Sequence, residues 1–371
     1  MVFLTKQLYY ILKQTWKLSH VTLFCYNKII MKQRTYYLDA LRVISIFFVI
    51  VIHATSTYWA HLDPNTYSWN VLNVYNSISR FSVPVFCMIS GALFLDHDRV
   101  VTVNRIITKY IPRLLVSLLL WNCFYSFVEF YFNGFDPVYF INTFLEGQIH
   151  FWFTYMIIGF YLIVPLLRNM LISNKDCVYF ILLSAVVVFI TPLLSRIEAL
   201  KFISDIIGRL QINAVAGYTI YFVLGYYLKK NDFTKKKKYL IYMFGLLSLL
   251  FTVIASRIIS INDGKPNSFY YSYLSLNVML TSIAVFVLFK DVFNNNEYDY
   301  VTTRFLSISK YCFGIYQCHL FVLSTLTNIG YFDINSNFLI TVPIISIVTM
   351  IISLVITFVI SKIPVLKDWI I

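Results

Sequence analysis

The chain has 371 residues, 59% of them hydrophobic and 13% charged, with a formal net charge of +13 and a mean hydropathy of +0.72. Soluble globular chains carry about 25% charged residues, so this one lacks the polar surface to face water all round, and disorder, fibrous repeats and a secreted disulfide scaffold are excluded with it. The basic residues sit in short gaps between apolar runs rather than along one stripe, which suits a membrane surface and not nucleic acid.

Residues 1–35 are basic, with no signal-peptide apolar run and no small-residue cleavage site. Met31, followed by KQRTYYLDALRV, reads as a natural start, so 1–35 is set apart as an N-terminal extension from a membrane domain at 36–371. A span needs about 20 apolar residues. Ten candidates follow in order: 40–60, 79–95, 110–132, 150–167, 177–195, 214–228, 239–260, 269–289, 311–331 and 338–361. The expectation is an all-α polytopic bundle of about ten helices. The second and sixth runs are short, and the second carries Pro84, Ser90 and Gly91, which marks it as interior rather than lipid-facing. With the N-terminus inside, the internal segments hold 22 of the 30 basic residues against 5 in the external ones, so both termini are expected in the cytoplasm. KKNDFTKKKK at 229–238 then reads as a cytoplasmic anchor, and the six cysteines, with no CxxC, as packing residues.

Ionisable residues within spans are costly and are candidates for function. In YLDALRVISIFFVIVIHATSTYW, Asp39 and Arg42 are three apart and can pair at the inner boundary. His53 follows Arg42 by eleven positions. That is a rotation of about 1,100°, within about 20° of the same helix face, and a rise of about 16 Å, so both are expected to look into one cavity. A neutral imidazole can take a proton from an alcohol, and an arginine suits the phosphates of a nucleotide-like donor. The bland alternative makes Arg42 a snorkelling anchor and His53 a packed histidine.

Further along, RIITKYIPRLL offers Arg105, Lys109 and Arg113, the last two at helical spacing on one basic face. His150 and Trp152 open the fourth span, Tyr316 and His319 lie in the ninth, and Ser90 in the second. Glu129 and Arg80 lie at outer helix ends, where they could pair with each other or contact a polar substrate. No GxxxxGK[ST], HExxH, GxSxG or metal-spaced His/Cys cluster occurs, so ATP-driven transport, zinc hydrolysis, a serine-hydrolase module and a metal site all lose support.

At these residues the sequence resembles acyltransferase family 3 of bacterial membrane proteins. The likeness is carried by Arg42 and His53 with ten residues between them, by YYLDALRVISIFFVIVIHAT, SISRFSVPVFCMISGALFL, KYIPRLL, HFWFTYMIIGFYLIVPLL and SKYCFGIYQCHLFVL, in the family's order over about residues 36–330. Within the family it is most similar to stand-alone surface-glycan O-acetyltransferases such as that of enterobacterial common antigen.

The resemblance implies an enzyme of the bacterial cytoplasmic membrane that moves an acetyl group from cytoplasmic acetyl-CoA, a co-substrate rather than a bound cofactor. The acceptor would be a hydroxyl of a cell-envelope polysaccharide or lipid-linked glycan. His53 would be the catalytic base or acyl relay, with Arg42, paired to Asp39, supporting it or contacting the donor. Arg105, Lys109 and Arg113 would hold the donor, and Ser90, Glu129, His150, Trp152, Tyr316 and His319 would line the cavity or hold the acceptor. The family's Arg-x-x-Arg is met here only at Arg113, with Lys109 near the place of the first arginine. Some relatives carry an extracytoplasmic hydrolase-like domain that this sequence lacks, which would leave that role to a separate partner protein. The rival reading is a transporter or flippase of a glycan intermediate, with the same polar groups lining a path.

Overall fold

A bilayer offers backbone N–H and C=O groups no partner, and a helix satisfies them within its own segment. The computed structural model describes residues 35–134, 136–210, 212, 217–293 and 300–370, and among these there are helices and no strands. The proposed extension at 1–35 falls almost wholly outside the described residues. The α-helices of nine residues or more are α1 (Tyr36–Trp59), α2 (Tyr67–Ser79), α3 (Ser82–Phe94), α4 (Ile111–Asn133), α5 (Pro137–Glu146), α6 (Trp152–Met170), α7 (Asn174–Ala185), α8 (Lys201–Arg209), α9 (Thr219–Lys230), α10 (Lys235–Asn262), α11 (Leu276–Val292), α12 (Cys312–Asn328) and α13 (Phe338–Ile360).

Among the described residues, eight stretches are long and apolar enough to cross a membrane: Tyr36–Trp59, Tyr67–Phe94, Val103–Tyr131, Pro137–Met170, Asn174–Leu194, Lys235–Asn262, Phe269–Val292 and Phe338–Ile360. The expected sixth and ninth spans are the shorter α9 and α12, of 12 and 17 residues. At about 1.5 Å per residue they run about 18 and 26 Å, less than the hydrocarbon thickness of about 30 Å. Both are interior: α9 is buried at nearly every position from Thr219 to Leu228, and α12 from Gly314 to His319.

The second span departs from its expected limits of 79–95. The turn at Arg80–Phe81 joins α2 to α3, and the apolar stretch runs from Tyr67 to Phe94. Hydropathy passes over α2 because its sequence, YSWNVLNVYNSIS, is rich in Asn and Ser. Those groups are bonded inside the bundle instead of hydrated. Asn73 Nδ2 donates to Val253 O at 3.0 Å, the Tyr271 hydroxyl donates to Asn73 Oδ1, and Ser77 Oγ donates to Asn73 O at 2.7 Å. Arg80 consequently sits midway along this stretch and not at its outer end.

Helices α3 and α9 meet each other. A methyl group built on Gly91 of α3 would fall 1.7 Å from the Phe222 carbonyl oxygen, and one on Gly225 of α9 would fall 1.9 Å from that of Met88. Only glycine permits such backbone-to-backbone approach. The C-terminal ends lie side by side, where Lys229 pairs with Asp96 at 2.5 Å, so the two helices run parallel. Each end leaves carbonyls that its own helix cannot satisfy, and a cation from a neighbouring helix takes them. Arg168 donates to Phe94 O, Asp96 O and Arg99 O at 2.8, 2.8 and 2.9 Å. Lys290 donates to Leu228 O, Lys229 O and Asn231 O at 3.0, 3.0 and 2.9 Å and pairs with Asp232 at 2.8 Å. These basic residues cap helices at the rim that the sequence marks as cationic.

Candidate active site

Helix α1 brings its ionisable residues to two levels. Near its start the Asp39 carboxylate accepts from Arg42 Nη1 at 2.8 Å and from Ser309 Oγ at 2.9 Å, which fixes the arginine against the segment before α12. Arg42 lines a cavity of about 350 Å³ at the basic rim, together with Arg113, Lys310, Ser90, Ser309 and Tyr161. Three cations against one paired carboxylate make this mouth attractive to a polyanion.

Three turns further on, His53 lines a separate, smaller chamber of about 60 Å³ with His150, Trp152, Tyr273 and Tyr316. Arg42 and His53 thus belong to two adjoining cavities, where the shared face had suggested one. Phe86, Phe153 and Tyr316 line both and form the partition.

His319 completes a cluster of three imidazoles. The ring centroids lie 5.1 Å apart for His53 and His319, 5.2 Å for His150 and His319, and 6.5 Å for His53 and His150. Backbone carbonyls fix two of the rings, and because a carbonyl only accepts, they also fix where the proton sits. His319 Nδ1 donates to Tyr316 O at 2.6 Å, which leaves Nε2 buried without a partner. His150 Nε2 donates to Gln317 O at 3.3 Å, which leaves Nδ1 buried and bare. The Tyr316 hydroxyl donates to His150 O. Tyr125 of α4 clamps the same turn of α12: its hydroxyl donates to Gln317 O at 2.9 Å and accepts from the Phe321 N–H at 3.2 Å. Among the described residues no group of His, Cys, Asp or Glu side chains is arranged to hold a metal ion. Buried imidazoles with one bare ring nitrogen each can carry acid–base chemistry.

Beyond the histidines lies a third cavity, of about 980 Å³, lined by Arg80, Tyr218, Tyr271, Tyr273 and Asn277 among others. Tyr273 borders both this cavity and the histidine chamber. Trp152 stacks on it, with centroids 6.1 Å apart and planes 27° apart.

Not every residue singled out by the sequence converges here. Arg113 faces the basic cavity, whereas Arg105 and Lys109 are exposed on the preceding turns and outside its lining. The expected common face of Lys109 and Arg113 is broken by a π-turn at Ile106–Tyr110, where the Ile111 N–H bonds Ile106 O and one extra residue shifts the register. Glu129 is half-buried on α4 and lines none of the three cavities. Arg80 bonds Asn76 rather than Glu129. Sequence reasoning passed over Gln317, Tyr125, Lys310 and Tyr273. Gln317, fully buried two residues before His319, could have been found as a polar group in an apolar run. The tyrosines could not, in a chain with 19% aromatic residues.

The fold defines a polytopic membrane protein, and the buried imidazoles beside a cationic mouth give it the outline of a group-transfer enzyme. Residues 35–360 match the model of acyltransferase family 3, described as an acyltransferase domain, and the chain belongs to that family. It is a membrane acyltransferase. No curated protein and no solved structure matches it.

Proposed function

We propose that the protein moves an acetyl group from acetyl-CoA, bound at the basic cavity from the cytoplasmic side, to a hydroxyl of a cell-envelope polysaccharide or lipid-linked glycan. The bacterial cytoplasmic membrane is the setting. The observation that carries this reading is the order of the cavities: cations at Arg42, Arg113 and Lys310, then the His53 chamber, then a wide aromatic cavity. The phosphates of coenzyme A suit the first, and a sugar suits the last. The middle chamber, at about 60 Å³, has the room of about two water molecules. That supports acetyl over a long acyl chain.

In this mechanism neutral His53 takes the proton of the acceptor hydroxyl as its oxygen attacks the thioester carbonyl carbon. The tetrahedral intermediate collapses, the C–S bond breaks, and the thiolate leaves with the proton that His53 returns. Asp39 keeps Arg42 turned toward the donor. The convergence of three imidazoles beside one small chamber supports transfer over conduction of a glycan.

The test is the O-acetyl content of isolated envelope glycans, by proton NMR before and after mild base, in a deletion strain complemented with wild type or His53→Ala. The signal should disappear on deletion, return with wild type and stay absent with the variant at equal protein level. In purified enzyme His53→Ala should lower turnover by about 100-fold or more. Acetylation unchanged in the deletion, with a fall in total surface glycan, would overturn the reading in favour of a transporter.

A further inference from the structure

Arg80 places a cation inside the bundle. It sits midway along the Tyr67–Phe94 stretch, where a cation is expensive unless something pairs with it. Its Nη2 donates to Asn76 Oδ1, a neutral group, and its Nε is buried with no partner. No Asp or Glu pairs with it among the described residues. Its guanidinium carbon instead lies 4.5 Å from the ring centroid of Tyr271 and 5.6 Å from that of Tyr273. Those contacts hold the group in place, and a cation–π pair leaves its charge uncancelled.

The same three side chains line the 980 Å³ cavity. Its volume is at the upper end of the range for small-ligand sites, about 300–1,000 Å³. Flat tyrosine faces beside Asn277, Ser272 and Ser275 suit the two faces of a sugar ring, one of C–H bonds and one of hydroxyls. Tyr273 belongs also to the wall of the His53 chamber, so a ring seated here presents an edge toward the imidazoles.

We infer that this cavity is the acceptor subsite and that the acceptor is an anionic sugar, with Arg80 as the counter-ion of its carboxylate or phosphate. The inference rests on the acyltransferase reading above and adds the charge class of the acceptor. An uncompensated guanidinium at membrane depth is stabilised when the substrate brings the missing charge, and a neutral sugar leaves it unpaired. Uronate and sugar phosphate share this chemistry.

The experiment uses the full-length protein in nanodiscs and three probes: methyl β-D-glucuronide, glucose 1-phosphate and neutral methyl β-D-glucoside. Binding is followed by tryptophan fluorescence, since Trp152 stacks on Tyr273 and Trp59 lies 5.2 Å from Tyr271. At least one anionic probe should bind about tenfold tighter than the glucoside or better, and the preference should weaken with salt. Which of the two anions binds better separates carboxylate from phosphate. The preference should vanish in Arg80→Gln and persist in Arg80→Lys. Equal binding of neutral and anionic probes by wild type overturns the inference, and this arm needs no variant. So does a preference that survives Arg80→Gln in protein that remains monodisperse. Acetyl transfer from acetyl-CoA is scored separately on the same probes. Anionic preference without any transfer leaves the subsite standing and removes the donor assignment. Transfer without anionic preference does the reverse.

Discussion

Asp39 is buried, yet its carboxylate serves two donors at once, Arg42 and Ser309, so the arginine reaches the basic cavity from a fixed base. The pair is half-shielded, with the Arg42 side chain 28% exposed, so its worth is that of a moderate ion pair. Asp39→Asn should leave the histidine chamber intact and loosen the donor cation. The expected outcome is a rise of about fivefold in the donor KM, about 1 kcal/mol, with kcat nearly unchanged. Steady-state kinetics against acetyl-CoA checks it; a fall in kcat at constant KM would show that the carboxylate acts on the chemistry instead. The sequence exposed this pair through its spacing alone. It did not expose the third partner, because Ser309 is 270 residues away and nothing in its segment points to Asp39.

Among the described residues, glycine sets the close contact of α3 with α9. Gly91→Ala and Gly225→Ala each drive a methyl into a backbone carbonyl, which cannot swing aside as a side chain can. Each should cost about 3 kcal/mol or more and greatly reduce folded protein in detergent. Gly159, on α6 with nothing within 4 Å of an added Cβ, is the control: Gly159→Ala should stay within about 1 kcal/mol of wild type, on the stabilising side. Fluorescence-detected size exclusion on heating ranks the three.

The paired ends of α3 and α9 add a pH dependence. Burial pushes the Asp96 carboxyl up, but the bonded Lys229 ammonium outweighs it and holds the group below the usual carboxylate range. Lys290 does the same for the exposed Asp232. A carboxyl lowered by folding contributes stability above its unfolded value of about 3.9, and the contribution is lost as pH falls through the folded value. The melting temperature should therefore hold from neutral pH to about pH 4 and drop below it, and Asp96→Asn should flatten part of that drop. The second run could be read as interior from its length, Pro84, Ser90 and Gly91. Its crossing with α9 could not, since nothing in either segment names the other. Helix α2 was missed for the opposite reason: its asparagines look hydrated until Val253 and Tyr271 are brought against them.

At the scale of the whole molecule, the sequence singled out His53, His150 and His319 one by one, His53 and His319 as costly groups in apolar runs and His150 at the start of one. Their convergence depends on how α1, the turn before α6 and α12 pack, which no spacing along the chain encodes. The basic rim was legible as a count of lysines and arginines, and it gives a direct test of orientation. Lys236→Cys, exposed at the start of α10, should be reached by an impermeant thiol reagent only in inverted vesicles. Asn335→Cys, exposed between α12 and α13, should react in intact cells. The reverse pattern would put the acyl donor on the wrong face.

The basic cavity, the His53 chamber and the wide cavity share wall residues, and in a membrane protein they would be a hazard if they joined. A continuous file of water from the cationic mouth to the wide aromatic hollow would short-circuit the electrochemical gradient that the membrane exists to hold. Phe86, Phe153 and Tyr316 interrupt that file with three rings, which a hydrated ion cannot wet. The partition between the basic cavity and the His53 chamber is in these terms also an electrical insulator, and opening it with small side chains should make cells leak protons.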